Sequence, residues 1–369
     1  MSPAKQSSRK DLCFILSIDG GGIRGIVPAV VLMSLAERLA KKNKTLPLSS
    51  YFDIIAGTST GGIIATGLSA PNPLDPAKPA IDPNGLLKLY KDRGKDIFSR
   101  DTFRRIREVF SDPRSIWQER YDAHTLEAEL QARLGLARLS AGLTNVLLTA
   151  YDIERRKAVF MTNTKLESGD HPDDYYFWQA ARATSAAPTY FEPARVQNLT
   201  SGQTETLVDG GVFANDPAIA AYVEACKIGY ALENVYVVSL GTGYQNRPFW
   251  YRDVKNWGPV SWINPTNGAP IISIFMQGQA STAAYQMNAL LKGNGKAKER
   301  YFRFDAPLSI GNDDLDDASE TNVLALQMLG QMIVDDNAGK LDAIAALLSE
   351  RAKGGASPVS GAPDRVRQS

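Results

Sequence analysis

The chain has 369 residues, enough for one large domain or two ordinary ones, and its 44% hydrophobic and 22% charged content belongs to a globular protein with a sizeable core. A formal net charge of +1 excludes the basic footprint of a nucleic-acid binder, and no polybasic tract would draw the chain onto an anionic membrane. Two cysteines exclude a disulfide framework, and no apolar run approaches the roughly 18 residues of a membrane span.

Residues 1–10, MSPAKQSSRK, are polar and predict a disordered tail. LCFILSI, residues 12–18, reads as a buried strand. It runs straight into glycines rather than a cleavage site, so it is not a signal peptide and the default compartment is the cytosol, with leaderless export left open. Glycines follow, then IVPAVVLMSLAERLAKK, where Val27, Val31, Leu35 and Leu39 recur at helical spacing. YFDIIAG predicts a second strand and Thr60–Ser69 a second helix. Residues 71–84 form a proline-rich surface loop, and 85–140 are mostly helical and amphipathic. NVLLTAYD and KAVFMTN predict two strands joined at Glu154-Arg155-Arg156. ETLVDGG and NVYVVSLGTG are further strands, with the helix PAIAAYVEACKIGY between them. Cys13 and Cys226 fall in apolar patterns and read as packing residues. Residues 351–369 predict a second disordered tail, leaving one α/β domain over 11–350 whose chemistry-bearing motifs lie within 13–217. The alternation of strands and helices predicts a mainly parallel sheet covered on both faces.

Three short motifs carry chemistry. The first, GTSTGG, fits Gly-x-Ser-x-Gly through Gly57, Ser59 and Gly61, after a strand and at the start of a helix. A tight turn there lifts a nucleophilic serine clear of the sheet; the alternative is a Ser/Thr helix cap with glycines for packing. The second is SIDGGGIRG. Gly20, Gly22 and Gly25 match a dinucleotide loop, but the acidic residue expected about twenty positions on is missing and Asp19 opposes a pyrophosphate. No Gly-Lys-Ser/Thr follows, so a P-loop fails as well. Consecutive glycines at a helix start also suit an oxyanion hole, whose donors are each worth on the order of 3 kcal/mol in the transition state. Arg24 adds a positive charge there, or serves as a structural ion pair. The third, LVDGGVFANDP, ends a strand on Asp209 before Gly210 and Gly211; it reads as a crevice carboxylate or as a plain Asp-Gly turn.

Each motif follows a predicted strand, so all three can meet at one edge of the sheet as nucleophile, oxyanion hole and carboxylate. The chain has only two histidines, His124 in the first turn of a helix pattern and His171 in a polar loop, and both read as surface residues. A Ser-His-Asp triad needs one of those segments to fold in. A Ser59–Asp209 dyad is simpler, because a partly buried carboxylate in contact with a hydroxyl can take its proton.

With these motifs the chain resembles the patatin-like phospholipase family, closer to plant patatins than to the shorter bacterial branches. DGGGIRG, GTSTGG and DGG carry the resemblance in that order, joined by ARATSAAPTYFEP, SLGTG and DDASETN, and it spans residues 12–350. It implies a three-layer α/β/α fold with Ser59 as nucleophile and Asp209 as base. It also implies an oxyanion hole at Gly20, Gly21 and Gly22 with Arg24 beside it. The expected activity is hydrolysis of acyl esters of phospholipids, galactolipids or neutral lipids, without metal or cofactor. One departure is Asn215-Asp216-Pro217 where plant members often read NNP; Asp216 adds a charge near the site and unsettles the pKa of the base.

Two segments raise further expectations. Phe249, Trp250, Trp257 and Trp262 either help reach a lipid surface transiently or pack under a loop. NDDLDDASE, residues 312–320, lacks EF-hand spacing and reads as a solvated turn plus helix cap. A non-catalytic binding module on the same fold, and a nucleotide-binding protein using Gly20–Gly25, are the competing readings.

Overall fold

The computed structural model describes residues 12–42, 46–98, 123–164, 173–188, 190–246, 248–263, 270–291, 299–312 and 314–353. The expected N-terminal tail, the middle of the helical stretch 85–140, and His171 lie outside them.

The strands are β1 Cys13–Ile18, β2 Ile54–Gly57, β3 Asn145–Asp152, β4 Lys157–Thr162, β5 Ala194–Gln197, β6 Thr204–Asp209, β7 Val235–Leu240 and β8 Tyr301–Phe304. The longer helices are α1 Ile26–Ala40, α2 Thr60–Ser69, α3 Pro83–Phe98, α4 Ala123–Leu134, α5 Phe177–Thr184 and α6 Ala218–Lys227. Two short helices, α7 Tyr251–Val254 and α8 Pro259–Ile263, precede α9 Pro270–Leu291, α10 Glu320–Asp336 and α11 Ala338–Lys353. The expected C-terminal tail therefore starts later: Arg351 is helical, bonds the Tyr51 carbonyl at 3.1 Å and pairs with buried Asp53. The remainder, 354–369, lies outside the described residues.

One eight-stranded sheet runs β5-β6-β3-β2-β1-β7-β8, with β4 also paired to β3. The stretch from β3 to β8 is parallel; β4 and β6 both run antiparallel to β3, and β5 antiparallel to β6. The expected hairpin is β3–β4, with Arg156 in its turn at φ 55.

Side chains alternate across a strand, and β1 shows the consequence. Phe14, Leu16 and Ile18 enter a core shared with α1, α2, α3 and α10, while Cys13 and Ile15 enter a second core shared with α6 and the end of α9. Helices thus cover both faces, giving the three layers of an α/β/α fold. Val27, Val31, Leu35 and Leu39 all face the first core. Cys226 packs against the second, in line with the reading of both cysteines as small hydrophobes. Among the described residues no helix is long and apolar enough to cross a membrane.

Candidate active site

Ser59 stands between β2 and α2 with φ 55 and ψ −125, a conformation that costs a residue with a side chain about 1–3 kcal/mol. Two glycines make the turn fit. A methyl group on Gly57 would lie 2.1 Å from the Gly61 carbonyl oxygen, and one on Gly61 would lie 2.1 Å from that of Ile18. The Ser59 N–H donates to Thr184 Oγ1 at 3.0 Å, which ties the elbow to α5. Buried polar groups need such partners, and the bond holds the strained turn in place.

Asp209 reaches Ser59 by an unexpected route. β6 is antiparallel to β3, so its carboxyl end does not follow the direction of β2. However, Leu147 pairs with Ala56 and Thr162, while Ala150 pairs with Val159 and Asp209. With β4 occupying one edge of β3 throughout, β2 and β6 must share the other edge. They approach head to head: Gly57 is opposite Leu148, and Asp209 is opposite Ala150. Thr149 sits at the junction, with its hydroxyl 2.7 Å from that of Thr58. The three motifs meet, although β6 runs opposite to β1 and β2.

The Ser59 hydroxyl donates to the Asp209 carboxylate, and the Gly211 N–H donates to Oδ1 at 2.7 Å. Burial outweighs these bonds and pushes the Asp209 carboxyl up to about 7. Asp216, expected to unsettle it, turns away. Its Oδ1 accepts from Ser17 Oγ at 3.1 Å and from the Ala218 N–H at 2.9 Å, and its Oδ2 lies 3.3 Å from Arg303. His124 is on the exterior of α4, its side chain 87% exposed and 4.0 Å from Glu127.

The glycine loop crosses in front of the elbow. The Gly20 N–H donates to the Asn215 carbonyl at 3.0 Å, so the expected three-glycine donor set reduces to two. Among the described residues, the N–H groups of Gly21 and Gly22 have no internal acceptor. Gly22 has φ +57, and a methyl group there would lie 2.2 Å from the Leu315 carbonyl oxygen. That carbonyl also accepts from the Ile23 N–H at 2.9 Å. The acidic segment is thus a wall over the loop, not a solvated turn: Asp316 is buried and faces the Ser59 cavity, and a dinucleotide phosphate finds the loop covered. The expected helix cap is present, with Ser319 Oγ accepting from the Asn322 N–H at 3.3 Å. Arg24 braces the loop through the carbonyls of Gly21 (3.3 Å) and Gly243 (3.2 Å) and lines a neighbouring cavity rather than that of Ser59. Gly25 packs against Thr60 and Tyr90, and Gly210 against Thr149.

The Ser59 cavity holds about 300 Å³. Its walls are mainly apolar, with Ile63, Phe191, Val212, Ile272, Phe275 and Met276 around the Ser59–Asp209 pair.

A family described as "Patatin-like phospholipase" matches residues 16–222 of this chain. This chain belongs to that family. Patatin-like protein 2 of Arabidopsis thaliana is 34% identical over 79% of this chain and 75% of its own length. Patatin-like protein 2 of Oryza sativa subsp. indica is 30% identical over 89% of this chain and 85% of its own, and Patatin-15 of Solanum tuberosum 29% over 93% and 92%. The plant branch expected from the motifs is therefore the right one, and a phospholipase-type hydrolase family with lipid substrates is its setting.

Motif reading missed several residues of this patatin-like site: Thr184, Thr149, Asn215 and Arg303. Arg303 carried a signal, since it interrupts the apolar strand YFRF. It bonds Asp19 at 2.8 and 2.6 Å, Asp305 at 2.7 Å and Ser239 at 2.8 Å, anchoring the carboxylate that opens the glycine loop.

Proposed function

We propose that the protein is a lipid acyl hydrolase working through a Ser59–Asp209 dyad and an acyl-enzyme. The observation that carries this reading is a buried carboxyl, poised at about 7, accepting a hydrogen bond from a serine on a strained elbow. Ser59 Oγ attacks the ester carbonyl carbon while its proton passes to Asp209. The Gly21 and Gly22 amides hold the oxyanion. Collapse breaks the bond to the leaving alcohol, which takes the proton from Asp209. Water then attacks the acyl-enzyme and gives a proton to Asp209; collapse frees the fatty acid as Asp209 returns that proton to Ser59 Oγ. The apolar cavity suits the acyl chain.

Fluorophosphonate labelling of the wild type, absent in Ser59→Ala, is the expected result; a folded, accessible protein that fails to label would overturn the reading. Asp209→Asn should lower kcat at least a thousandfold, and retained turnover would reject the dyad.

Peripheral contact with a lipid surface belongs to the same proposal. Trp257 stacks edge-on between Phe249 (5.6 Å) and Trp262 (5.0 Å), and this small cluster leaves Trp250 and Tyr251 58% and 80% exposed. Aromatic rings in that setting suit a membrane interface. Trp250→Ala with Tyr251→Ala should reduce vesicle sedimentation without changing hydrolysis of a soluble short-chain ester. Unchanged sedimentation would remove the segment from the proposal.

A further inference from the structure

Tyr90 is a buried polar residue for which the proposed mechanism has no use. It sits on α3 with 1% of its surface exposed, and it is not among the residues lining the Ser59 cavity. Its hydroxyl nevertheless meets the residue that follows Ser59. It donates to the Thr60 carbonyl at 3.2 Å and is also bonded to Thr60 Oγ1. A phenol has one proton to give, so with that proton on the carbonyl the Thr60 hydroxyl is the donor in the second bond. One side chain thus holds the first residue of α2 by its backbone and by its side chain.

The same ring abuts the other half of the site. Gly25 closes the glycine loop, and a methyl group there would lie 2.6 and 2.7 Å from Tyr90 Cζ and Oη, and 2.5 Å from Thr60 Oγ1. One turn further along α3, a methyl group on Gly94 would lie 2.8 Å from Ile23 Cδ1. The elbow that carries Ser59 and the loop that carries the Gly21 and Gly22 amides are therefore both pressed against one phenol. We propose that Tyr90 is a positioning residue: through Thr60 and Gly25 it fixes the spacing between Ser59 Oγ and the Gly21 and Gly22 amides. This rests on the acyl-hydrolase reading above.

A phenylalanine would fill the ring's space, so what the hydroxyl adds is polar. Burial raises the phenol well above its ordinary value and keeps it neutral, so Tyr90→Phe removes hydrogen bonds and no charge. The elbow needs such bonds. Ser59 has φ 55, and a strained residue persists only where its surroundings over-determine it. Thr184 on α5 holds the Ser59 N–H at 3.0 Å, and Tyr90 on α3 holds the next residue, so two helices clamp the turn. Oxyanion donors act only at the right distance from the reacting atom, and a misplacement of about 1 Å can cost roughly a hundredfold in rate.

The test uses p-nitrophenyl butyrate turnover, with end-point fluorophosphonate labelling to count active sites. Tyr90→Phe should lower kcat per labelled site at least about tenfold and leave KM within about twofold, because an interaction felt only in the transition state is lost. A trifluoromethyl ketone bonds to Ser59 Oγ as the serine proton passes to Asp209, and its oxyanion needs the loop amides. Its inhibition should weaken by about the same factor as kcat, while butyrate inhibits the variant as it does the wild type. Tyr90→Phe combined with Thr60→Val separates positioning from stability. Replacing both partners by apolar groups of the same shape should bring the melting temperature back toward the wild type, yet kcat should stay at least about tenfold down. A kcat that recovers along with stability, or a Tyr90→Phe kcat within about twofold of the wild type, would overturn the positioning role and leave the hydrolase reading intact. A wild type that turns over no ester would remove both.

Discussion

Asp209 has to serve two opposed requirements. Burial raises its proton affinity, which suits the base of the proposed mechanism, and the same burial penalises the ionised form that mechanism needs. The expected kcat/KM profile therefore rises with pH through one ionisation near 7, read on a soluble ester. The stability effect has the opposite sign. The folded-state carboxyl titrates near 7 and the unfolded one near its ordinary value of 3.8, so the native state binds the extra proton between those limits and loses stability as pH rises across them. Asp209→Asn should raise stability at pH 8 by up to roughly 4 kcal/mol, with no gain near pH 4. Chemical denaturation at both pH values measures the difference, and an equal effect at both would contradict the assigned burial.

At the scale of elements, the glycine pattern was legible because its cause is local. A strand that turns sharply into a helix needs Gly57 and Gly61 wherever it occurs, and the contacts that forbid a side chain are within a few residues or on the adjacent strand. Gly61→Ala should drive α2 away from β1, costing at least about 3 kcal/mol, and should abolish labelling of Ser59. A melting temperature within a degree of the wild type would show that the elbow tolerates the methyl group. The direction of β6 was not legible, because a strand's own residues do not record its partner's orientation. The four-residue strands β5 and β8 were missed for a related reason: ARVQ and YFRF are too short to establish a period. Asp316 was misjudged because its acidity suggested solvent, whereas its neighbour Leu315 is bonded to the glycine loop about 290 residues earlier in the chain.

Across the whole molecule, two arginines from the C-terminal third secure the N-terminal motifs. Arg351 pairs with Asp53 just ahead of β2, where Asp53 also accepts from the Phe14 N–H at 2.7 Å. Arg303 holds Asp19 just after β1. Neither link follows from local sequence, since each depends on a charge far along the chain. Arg303→Met should leave Asp19, Asp216 and Asp305 without their cation and cost about 3–5 kcal/mol at pH 8. Burial already holds the Asp19 carboxyl well above its ordinary value and Arg303 opposes that, so loss of the cation raises it further. The deficit should accordingly shrink toward pH 5, as seen in paired urea titrations.

The meeting of β2 and β6 on one edge of β3 also bears on the order of events during synthesis. Ser59, the proposed nucleophile, leaves the ribosome about 150 residues before Asp209, its proposed base, and β3 must be in place before β2 and β6 have an edge to share. A nascent chain holding only the first two motifs has a serine with nothing to take its proton. On the proposed mechanism, hydrolytic competence arises from the last of these long-range pairings, which are the slow ones to form. During refolding, reactivity toward a fluorophosphonate should lag behind the return of helical circular dichroism, so that the growing chain is chemically silent until the sheet has closed around its active serine.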